Sequence, residues 1–571
     1  MSLSISRPGW RSRLRSVDWS WRPLLSTEGL ILAVSLFFAL ACNGPFWRSA
    51  MSWSGGGLGM ALSLGVVLVA VHALLLGLLI WRWNAKVLLT ALLLVSAFAA
   101  YYMGRYNVYI DADMVRNVLA TDRKESSELL TSSLILPLLF YAVLPIVVLW
   151  RLRLRQRPPL RALLVRGGFL AAVFAAGACA ALLSFQDLSA LMRNHHEIRY
   201  LATPINTLAA LRSNLKSAPA AKAPKQPIGE DAMATPRAPQ SRPRLLLVVL
   251  GETMRAQNFG LNGYARQTTP ELAQVDGLVN FPDMHSCGTS TEVSVPCMFS
   301  PWGRHDYDQA RIRSHQSLLH VLDRAGIGVL WRDNQSGCKG VCDGLQIQQL
   351  DDARVPGLCR DGRCMDEILL NDLAAQVRAR PGDRVVVLHQ LGNHGPSYYE
   401  RYPATFARFG PACQNPDLGQ CSREQIVNAY DNAVLYTDHF LNRAIATLRG
   451  MPDYDTAMIY VSDHGESLGE KGLYLHGMPY AIAPQEQTHI PMVMWMSPQF
   501  ARNRGLNMQC LRERATARTD HDNLFPSVLG LMQVRTSLYD GSRDVFAGCE
   551  RAGGSGTAAG AVGAASAATA I

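Results

Sequence analysis

The residues best suited to chemistry are a threonine, two carboxylates and a histidine at predicted turns and strand ends. Thr291 lies in CGTSTEVSVPC (287–297), Glu252 follows the apolar run LLLVVLG, and Asp463 and His464 follow AMIYVS. Two carboxylate oxygens and an imidazole nitrogen suit zinc and leave one coordination position for the Thr291 hydroxyl. A divalent zinc ion there would lower the pKa of this hydroxyl and make a poor nucleophile reactive.

Two of these residues also have a purely structural interpretation. Glu252 could cap the helix that follows its strand, and Thr291 could be the N-cap of a helix that begins in SVPCMF. If that helix begins just after Thr291, its free N–H groups would also face an incoming phosphate. A Cys287–Cys297 bridge would hold the threonine loop in place.

Three more polar residues lie in glycine-containing turns. His394 lies in HQLGNHGP and His476 in YLHGMP. Such histidines are often merely solvated, but together they suggest either a second metal ion or a proton donor for a leaving oxygen. Lys339, between Cys338 and Cys342, could contact phosphate oxygens or could simply be exposed.

The elements that must position these residues predict an α/β domain over about 244–550. Short apolar runs separated by helix-like segments favour a mostly parallel sheet covered by helices on both faces. Ligands of such sheets bind beyond the carboxyl ends of the strands, where these polar residues fall. The predicted strands are 245–250, 328–331, 384–390, 457–463 and 491–496, and the predicted helices include 316–326 and 426–450.

The first 190 residues have the composition of a membrane domain. Five apolar runs approach the roughly 20 residues that a helix needs to cross a bilayer. The predicted transmembrane domain is 28–190, with a basic cytoplasmic N-terminus at 1–27 and an outside loop at 105–131. The five runs lie near 29–47, 57–80, 87–103, 132–150 and 162–185.

Lys and Arg placement sets the predicted orientation of the spans. Basic clusters at the N-terminus, at Arg82 and Lys86, and in RLRLRQR (151–157) all fall inside if the N-terminus is inside. Five crossings then leave the α/β domain outside, and a cleavable signal peptide is not expected. The net charge of +10 serves this topology, so no nucleic-acid partner is predicted.

Cysteine usage supports an exterior, oxidising location for the α/β domain. Cys42 and Cys179 lie in or beside apolar spans. The other ten form an even set largely in close pairs, which favours disulfides over zinc knuckles because no CxxC spacing occurs. Nearest-neighbour pairing predicts the bridges Cys287–Cys297, Cys338–Cys342, Cys359–Cys364, Cys413–Cys421 and Cys510–Cys549.

Two segments outside these domains have distinct compositions. Residues 191–243 are predicted to hold an amphipathic bridging helix, 193–208, followed by an Ala- and Pro-rich linker, 218–243, that cannot bury a core. The tail at 551–571 is predicted to be disordered.

Taken together, VVLGET, CGTSTEVSVPCMFS, LWRDNQSGCKGV, LHQLGNHGPSYYERYP and YVSDHGESLGEKGLYLHGMPY resemble the bacterial lipid A phosphoethanolamine transferases. This family includes the mobilised colistin-resistance enzymes and belongs to the alkaline phosphatase and sulfatase superfamily. The resemblance covers about 244–500, with a compatible five-span front end.

The resemblance implies a role for each matching residue. Glu252, Thr291, Asp463 and His464 match the zinc site, with Thr291 as the residue that becomes modified. Lys339, His394 and His476 match positions that contact the phosphoethanolamine group or further zinc. The membrane-proximal segment DADMVRNVLATDRKESSELL matches at Asn117, Thr121 and Glu125, whose four-residue spacing predicts one polar helical face. The resemblance implies that Glu125 pairs with the ethanolamine ammonium.

The resemblance implies zinc-dependent transfer of phosphoethanolamine from phosphatidylethanolamine to a lipid A phosphate, through a covalent intermediate on Thr291. The protein is expected to be a monomer of the bacterial inner membrane, with its catalytic domain in the periplasm. It is also expected to confer resistance to polymyxins. The alternatives are transfer to a core sugar of lipopolysaccharide, or a membrane-tethered phosphatase or phospholipase that uses water as the acceptor. A scaffold with a degenerate site is disfavoured because the four metal-site residues are all present.

Overall fold

A computed structural model of the chain describes residues 22–53, 57–121, 123–222, 224–237, 240–360 and 362–550. The chain divides into two compact units, one comprising the residues up to Arg105 with Ser132–Leu208, the other comprising Tyr106–Thr131 and the chain from Ala209 onward. The segment predicted as an outside loop therefore belongs to the same unit as the α/β domain. Most of the basic N-terminus (1–21) and the whole predicted tail (551–571) lie outside the described residues.

Apolar helices form the first unit. Within the described part of the chain, four helices are long and apolar enough to cross a membrane, and a bent helix pair gives a fifth span if it counts as one. Their length and composition agree with the five predicted spans. The four helices are Leu58–Leu79, Ala85–Tyr106, Ser132–Arg151 and Pro159–Leu183, and the bent pair is Thr27–Cys42 with Gly44–Trp53.

The first predicted span, 29–47, is not one straight helix. The two members of the bent pair differ in direction by 66°. Asn43 between them is non-helical, and its side chain donates a hydrogen bond to the carbonyl of Phe38. Pro45 lies at the start of the second helix, where its missing N–H group costs no hydrogen bond, so the chain can restart in a new direction.

The predicted amphipathic helix at 193–208 is wrong as a single element. The helix Phe185–Asn194 is followed by a 3-10 helix, His196–Leu201, and a further helix begins at Ile205. Pro204 disfavours helical backbone at Thr203 and so interrupts the pattern that the sequence suggested.

An eight-stranded sheet forms the centre of the second unit. Its strands, labelled in chain order, are β1 Arg244–Gly251, β2 Val279–His285, β3 Gly328–Asp333, β4 Ile347–Gln349, β5 Arg384–His389, β6 Asp455–Ser462, β7 His489–Met496 and β8 Thr519–Asp520. The order across the sheet is β8-β2-β7-β6-β1-β5-β3-β4. Only β7 runs against the others, so the prediction of a mostly parallel sheet is confirmed.

The central strands are apolar because both of their faces are covered. Every residue of β1, β3, β5 and β6 is buried. Strands buried on both sides show continuous apolar runs instead of alternation, which is why these four were predicted. Helices around the sheet include Thr291–Met298, Gln309–Ser314, Leu318–Arg324, Leu373–Arg378, Arg423–Arg449, Pro498–Asn503, Met508–Arg514 and Leu524–Leu531.

The predicted linker at 218–243 is only partly correct. The helix that begins at Ile205 continues to Lys222, and Ile228 and Ala232 are buried in the core of the α/β domain. Met233–Ala234 also pairs with Val534–Arg535 in a two-stranded sheet. A few apolar side chains and backbone hydrogen bonds order the described part of 224–237, although its average composition suggested a free linker.

All five predicted disulfides are present, with the predicted pairing. The bridges are Cys287–Cys297, Cys338–Cys342, Cys359–Cys364, Cys413–Cys421 and Cys510–Cys549. Four of them close loops of four to ten residues of sequence separation, so they act locally on loops around the sheet.

Candidate active site at the carboxyl edge of the sheet

Three polar residues lie together at the carboxyl ends of two neighbouring strands. Strands β1 and β6 are parallel and in register, with Gly251 opposite Ser462. Glu252 therefore follows β1 directly beside Asp463 and His464, which follow β6. The side chains of all three are fully buried.

Thr291 reaches the same point from the start of a helix. It is the first residue of Thr291–Met298, and Ser290 before it occupies the N-cap position. The helix thus begins at Thr291, not after it, and Thr291 is not the cap. Its Oγ1 donates toward the Glu252 carboxylate oxygens, at 3.0 and 3.2 Å, and lies 3.5 Å from Nε2 of His464.

The four side chains fit a zinc ion. Nδ1 of His464 lies 2.9 Å from the Gly465 carbonyl, which can only accept, so Nδ1 carries the proton. The Nε2 lone pair then faces Asp463 Oδ2 at 3.3 Å and Glu252 Oε1 at 3.4 Å. Asp463 Oδ2 is buried and has no hydrogen-bond donor among the described residues. An imidazole lone pair and carboxylate oxygens that face one another without a proton between them form a set of ligands typical of a metal site.

The pKa of Glu252 also indicates a site for a cation. Burial, and then the negative charge of Asp463, raise the pKa of Glu252 well above its ordinary value. Two buried carboxylates repel each other unless a cation lies between them. Gln335 Nε2 donates to Glu252 Oε2 at 3.2 Å and fixes the orientation of that carboxylate.

His394 and His476 lie together beside this cluster. Their ring centroids are 5.6 Å apart, and the ring of His476 is 4.5 Å from that of His464. His476 Nδ1 lies 2.8 Å from Oε2 of the buried Glu466, which orients the ring. Burial, and then the charge of His476, lower the pKa of His394 well below its ordinary value. His394 is therefore neutral at physiological pH.

Lys339 occupies a loop held by the Cys338–Cys342 bridge. It has a left-handed backbone, with φ of 51°, and its ammonium donates to Oγ and O of Ser336 at 2.5 and 3.2 Å. Its positive charge contributes to the lowered pKa of His394. The predicted contact of Lys339 with phosphate oxygens stays a prediction.

The predicted single helical face through Asn117, Thr121 and Glu125 is wrong. The helix Ala112–Ala120 ends before Thr121, whose backbone is extended, and a second helix spans Arg123–Leu129. The Thr121 hydroxyl donates to the Asn117 carbonyl at 2.7 Å, a local bond that competes with helix continuation. Glu125 nevertheless reaches the site, because its Oε1 lies 3.7 Å from His394 Nε2.

Three residues that support the cluster were not predicted from the sequence. Gln335 lies in RDNQSGCKG and Glu466 in DHGES, so both follow predicted strands. Their position beyond strand ends was the available signal. His521 had none, because it lies far along the chain from the residues it contacts.

His521 joins the loop of Thr291 to the strand that carries Asp463. Its Nδ1 accepts the N–H of Cys287 at 3.0 Å, and its Nε2 donates to the Ser462 carbonyl at 2.9 Å. This pattern requires the neutral ring. Burial lowers the pKa of His521 to about 4.

We expect the stability of the α/β domain to depend on pH through His521. The pKa is 6.5 in the unfolded chain and about 4 in the fold. The unfolded chain thus binds the proton more readily, so the contribution is complete above pH 6.5 and is lost as pH falls toward 4. The free energy of unfolding should drop by about 3 kcal/mol between pH 7 and pH 4 from this group.

Chemical unfolding of the wild type and of His521→Gln at both pH values measures this effect. Glutamine keeps one acceptor and one donor but does not titrate, so the variant should lose that part of the pH dependence. His439→Gln, a part-exposed histidine of Arg423–Arg449, is the matched control. An equal pH dependence in wild type and His521→Gln would contradict the assignment.

Comparison with known proteins matches both units. A family model described as Sulfatase matches residues 244–534, and one described as Phosphoethanolamine transferase EptA/EptB matches residues 68–218. The chain is 37% identical over 538 residues to phosphoethanolamine transferase EptA of Escherichia coli (strain K12), covering 93% of this chain and 98% of that protein. It is 36% identical over 529 residues to phosphatidylethanolamine transferase Mcr-1 of Escherichia coli, covering 90% and 96%.

A solved structure extends the match to the whole fold. The integral membrane protein lipooligosaccharide phosphoethanolamine transferase A (EptA) from Neisseria meningitidis matches with a TM-score of 0.89 and 37% identity, over 93% of this chain and 100% of that chain. These comparisons confirm the resemblance that the motifs indicated. The chain belongs to the phosphoethanolamine transferase family, with apolar membrane helices followed by a domain of the sulfatase fold.

Proposed function

We propose that this protein transfers phosphoethanolamine from phosphatidylethanolamine to a phosphate of lipid A through a covalent intermediate on Thr291. The observation that carries the proposal is the buried Thr291 hydroxyl, 3.0 Å from Glu252 and 3.5 Å from His464 at the first residue of a helix. Glu252, Asp463, His464 and Thr291 would hold zinc. Bound there, zinc supplies positive charge that lowers the pKa of the hydroxyl and stabilises charge on the phosphoryl group.

In the first step Thr291 Oγ1 forms a bond to phosphorus. The phosphorus–oxygen bond to diacylglycerol breaks, and the Thr291 proton ends on the diacylglycerol oxygen. The first N–H groups of Thr291–Met298 have no partners within the helix and face negative charge favourably. A protein nucleophile retains the group until a second lipid arrives, which an activated water cannot do.

In the second step a phosphate oxygen of lipid A bonds to phosphorus. The bond to Thr291 Oγ1 breaks, and the threonine regains a proton from the acceptor phosphate. Because His394 is neutral, it is suited to bind a further metal ion or to accept a hydrogen bond, and it is poorly suited to donate a proton as a cation. Glu125, Lys339 and His476 would contact the phosphoethanolamine group.

The cellular setting follows from the same features. Five disulfides favour an oxidising compartment for the α/β domain, and apolar helices tether it to a membrane. We therefore assign the protein to the bacterial inner membrane with this domain in the periplasm, where both lipid substrates are accessible. Added ethanolamine makes lipid A less negative, so polymyxins and other cationic peptides should bind it more weakly.

Product analysis tests this function. The full-length protein is reconstituted in vesicles containing phosphatidylethanolamine labelled in its ethanolamine group, together with purified lipid A. We expect label in lipid A and release of diacylglycerol. Lipid A stripped of its phosphates is the matched control acceptor and should take no label. Label released as free phosphoethanolamine would instead identify a hydrolase. In parallel vesicles that contain intact lipopolysaccharide in place of lipid A, label on core sugars would identify a different acceptor.

A further inference from the structure

The short helix Arg123–Leu129 is held to the α/β domain by a buried carboxylate. Glu128 is the one buried residue of this helix and is 8% exposed. Apolar side chains usually occupy such a position. A carboxylate withdrawn from water instead needs cationic partners close by.

Two arginines supply those partners. Arg401 donates to both oxygens of Glu128, at 2.7 and 2.9 Å, and Arg363 pairs with Oε1. The Arg401 side chain is only 1% exposed, so this pair is buried on both sides. Burial raises the pKa of Glu128, but the charges of Arg401 and Arg363 outweigh burial and bring the pKa below its ordinary value.

Arg401 also contacts the active site. Its Nε donates to the backbone carbonyl of His394 at 2.7 Å. Glu125, one helical turn before Glu128, has its carboxylate 3.7 Å from Nε2 of the same histidine. Residues three apart lie on one helical face. One face of this helix therefore reaches His394 twice, at its ring through Glu125 and at its backbone through Glu128 and Arg401.

We propose that Glu128 is a positioning residue that, through Arg401, fixes the helix Arg123–Leu129 against His394 and thereby sets the position of Glu125. The inference rests on the proposed function, because Glu125 matters for rate only if the site binds a cationic headgroup. Without the Glu128 charge, Arg401 remains a buried cation without this carboxylate, and the helix loses its buried ion pair with the α/β domain. A displacement of about 1 Å in a positioned group can lower the rate of a reaction about 100-fold.

Three variants of the full-length protein in vesicles test the proposal. Glu128→Gln keeps the size and removes the charge, and Glu128→Asp keeps the charge and shortens the reach. Lys124→Gln is the matched control, since Lys124 lies in the same helix and makes a half-exposed pair with Asp351 at 2.7 Å. We measure kcat and KM for transfer of labelled phosphoethanolamine, together with the midpoint of thermal unfolding.

We expect kcat to fall about 100-fold in Glu128→Gln and about tenfold in Glu128→Asp, with an unchanged unfolding midpoint in Glu128→Asp. Lys124→Gln should stay within about threefold of the wild type, because exposed ion pairs contribute little. If Glu128→Gln does not fold, Glu128→Asp decides. Wild-type kcat in folded Glu128→Asp and in any folded Glu128→Gln would overturn the proposal.

A double-mutant cycle with Arg401 tests whether Glu128 positions the site through Arg401 or only supports the fold in general. Arg401→Lys keeps the charge but cannot reach both Glu128 and the His394 carbonyl. If the two residues act as a unit, the double variant with Glu128→Asp falls no further than the worse single variant. Fully multiplicative losses would overturn the proposal. Failure of the proposed function is distinguishable, because then the wild type itself would transfer no label to lipid A.

Discussion

Replacing Thr291 with alanine should lower phosphoethanolamine transfer at least about 10⁴-fold, to the background of the vesicles. In the proposed mechanism this hydroxyl bonds to phosphorus. Among the described residues, no other hydroxyl lies within hydrogen-bonding distance of Glu252. Thr291→Ala removes only the hydroxyl and one methyl group from the first residue of a helix, so the fold should stay intact. The measurement is the initial rate of label transfer to lipid A, with the unfolding midpoint recorded on the same sample.

Thr291→Ser is the control that keeps the nucleophile. It removes only a methyl group, so it should retain transfer within about 100-fold of the wild type, with the loss arising from a less ordered hydroxyl. Full activity in Thr291→Ala would mean that the donor phosphate is attacked by water or by another residue. That result would leave the family assignment standing and would end the covalent mechanism.

Removing zinc should abolish transfer and also lower stability. Dialysis against a chelator leaves the two buried carboxylates side by side without a cation, and burial together with the charge of Asp463 raises the pKa of Glu252, which favours its binding of a proton. Zinc returned at about a thousand times its Kd should restore about 4 kcal/mol of stability. Because binding displaces that proton, the affinity for zinc should fall as pH falls.

Two carboxylate variants test where zinc binds. Asp463→Asn should lose the zinc-induced rise in the unfolding midpoint as well as transfer. Glu292→Gln is the matched control, because this buried carboxylate lies next to Thr291 but pairs with Arg313 at 2.5 Å. It should keep the zinc-induced rise. An equal rise in Asp463→Asn and the wild type would show that zinc binds elsewhere.

The sheet was predictable where strands are buried on both faces. The runs around β1, β5 and β6 are continuously apolar, and their bounds agree with the prediction within two residues. Strand β2, VNFPDMH, was missed because Pro282 and Asp283 interrupt its apolar pattern. The two-residue strand β8 is too short to give any pattern.

The centre of the candidate site was predictable for the same reason. Glu252, Asp463 and His464 directly follow apolar strands, so finding the strands located the residues. The residues that support this centre were not predictable. Glu128 and Arg401, for example, are 273 residues apart in sequence and come into contact only in the fold. The separation of Thr121 from Glu125 also escaped prediction, since a four-residue spacing fits one long helix as well as two short ones.

The covalent intermediate on Thr291 is the central claim, and peptide mass spectrometry tests it most directly. The full-length protein is incubated with labelled phosphatidylethanolamine without an acceptor, stopped in acid and digested. We predict one phosphoethanolamine group on the peptide that contains Thr291, lost when lipid A is added before the stop and absent from Thr291→Ala. An unmodified Thr291 peptide from protein that still transfers label to lipid A would contradict the account.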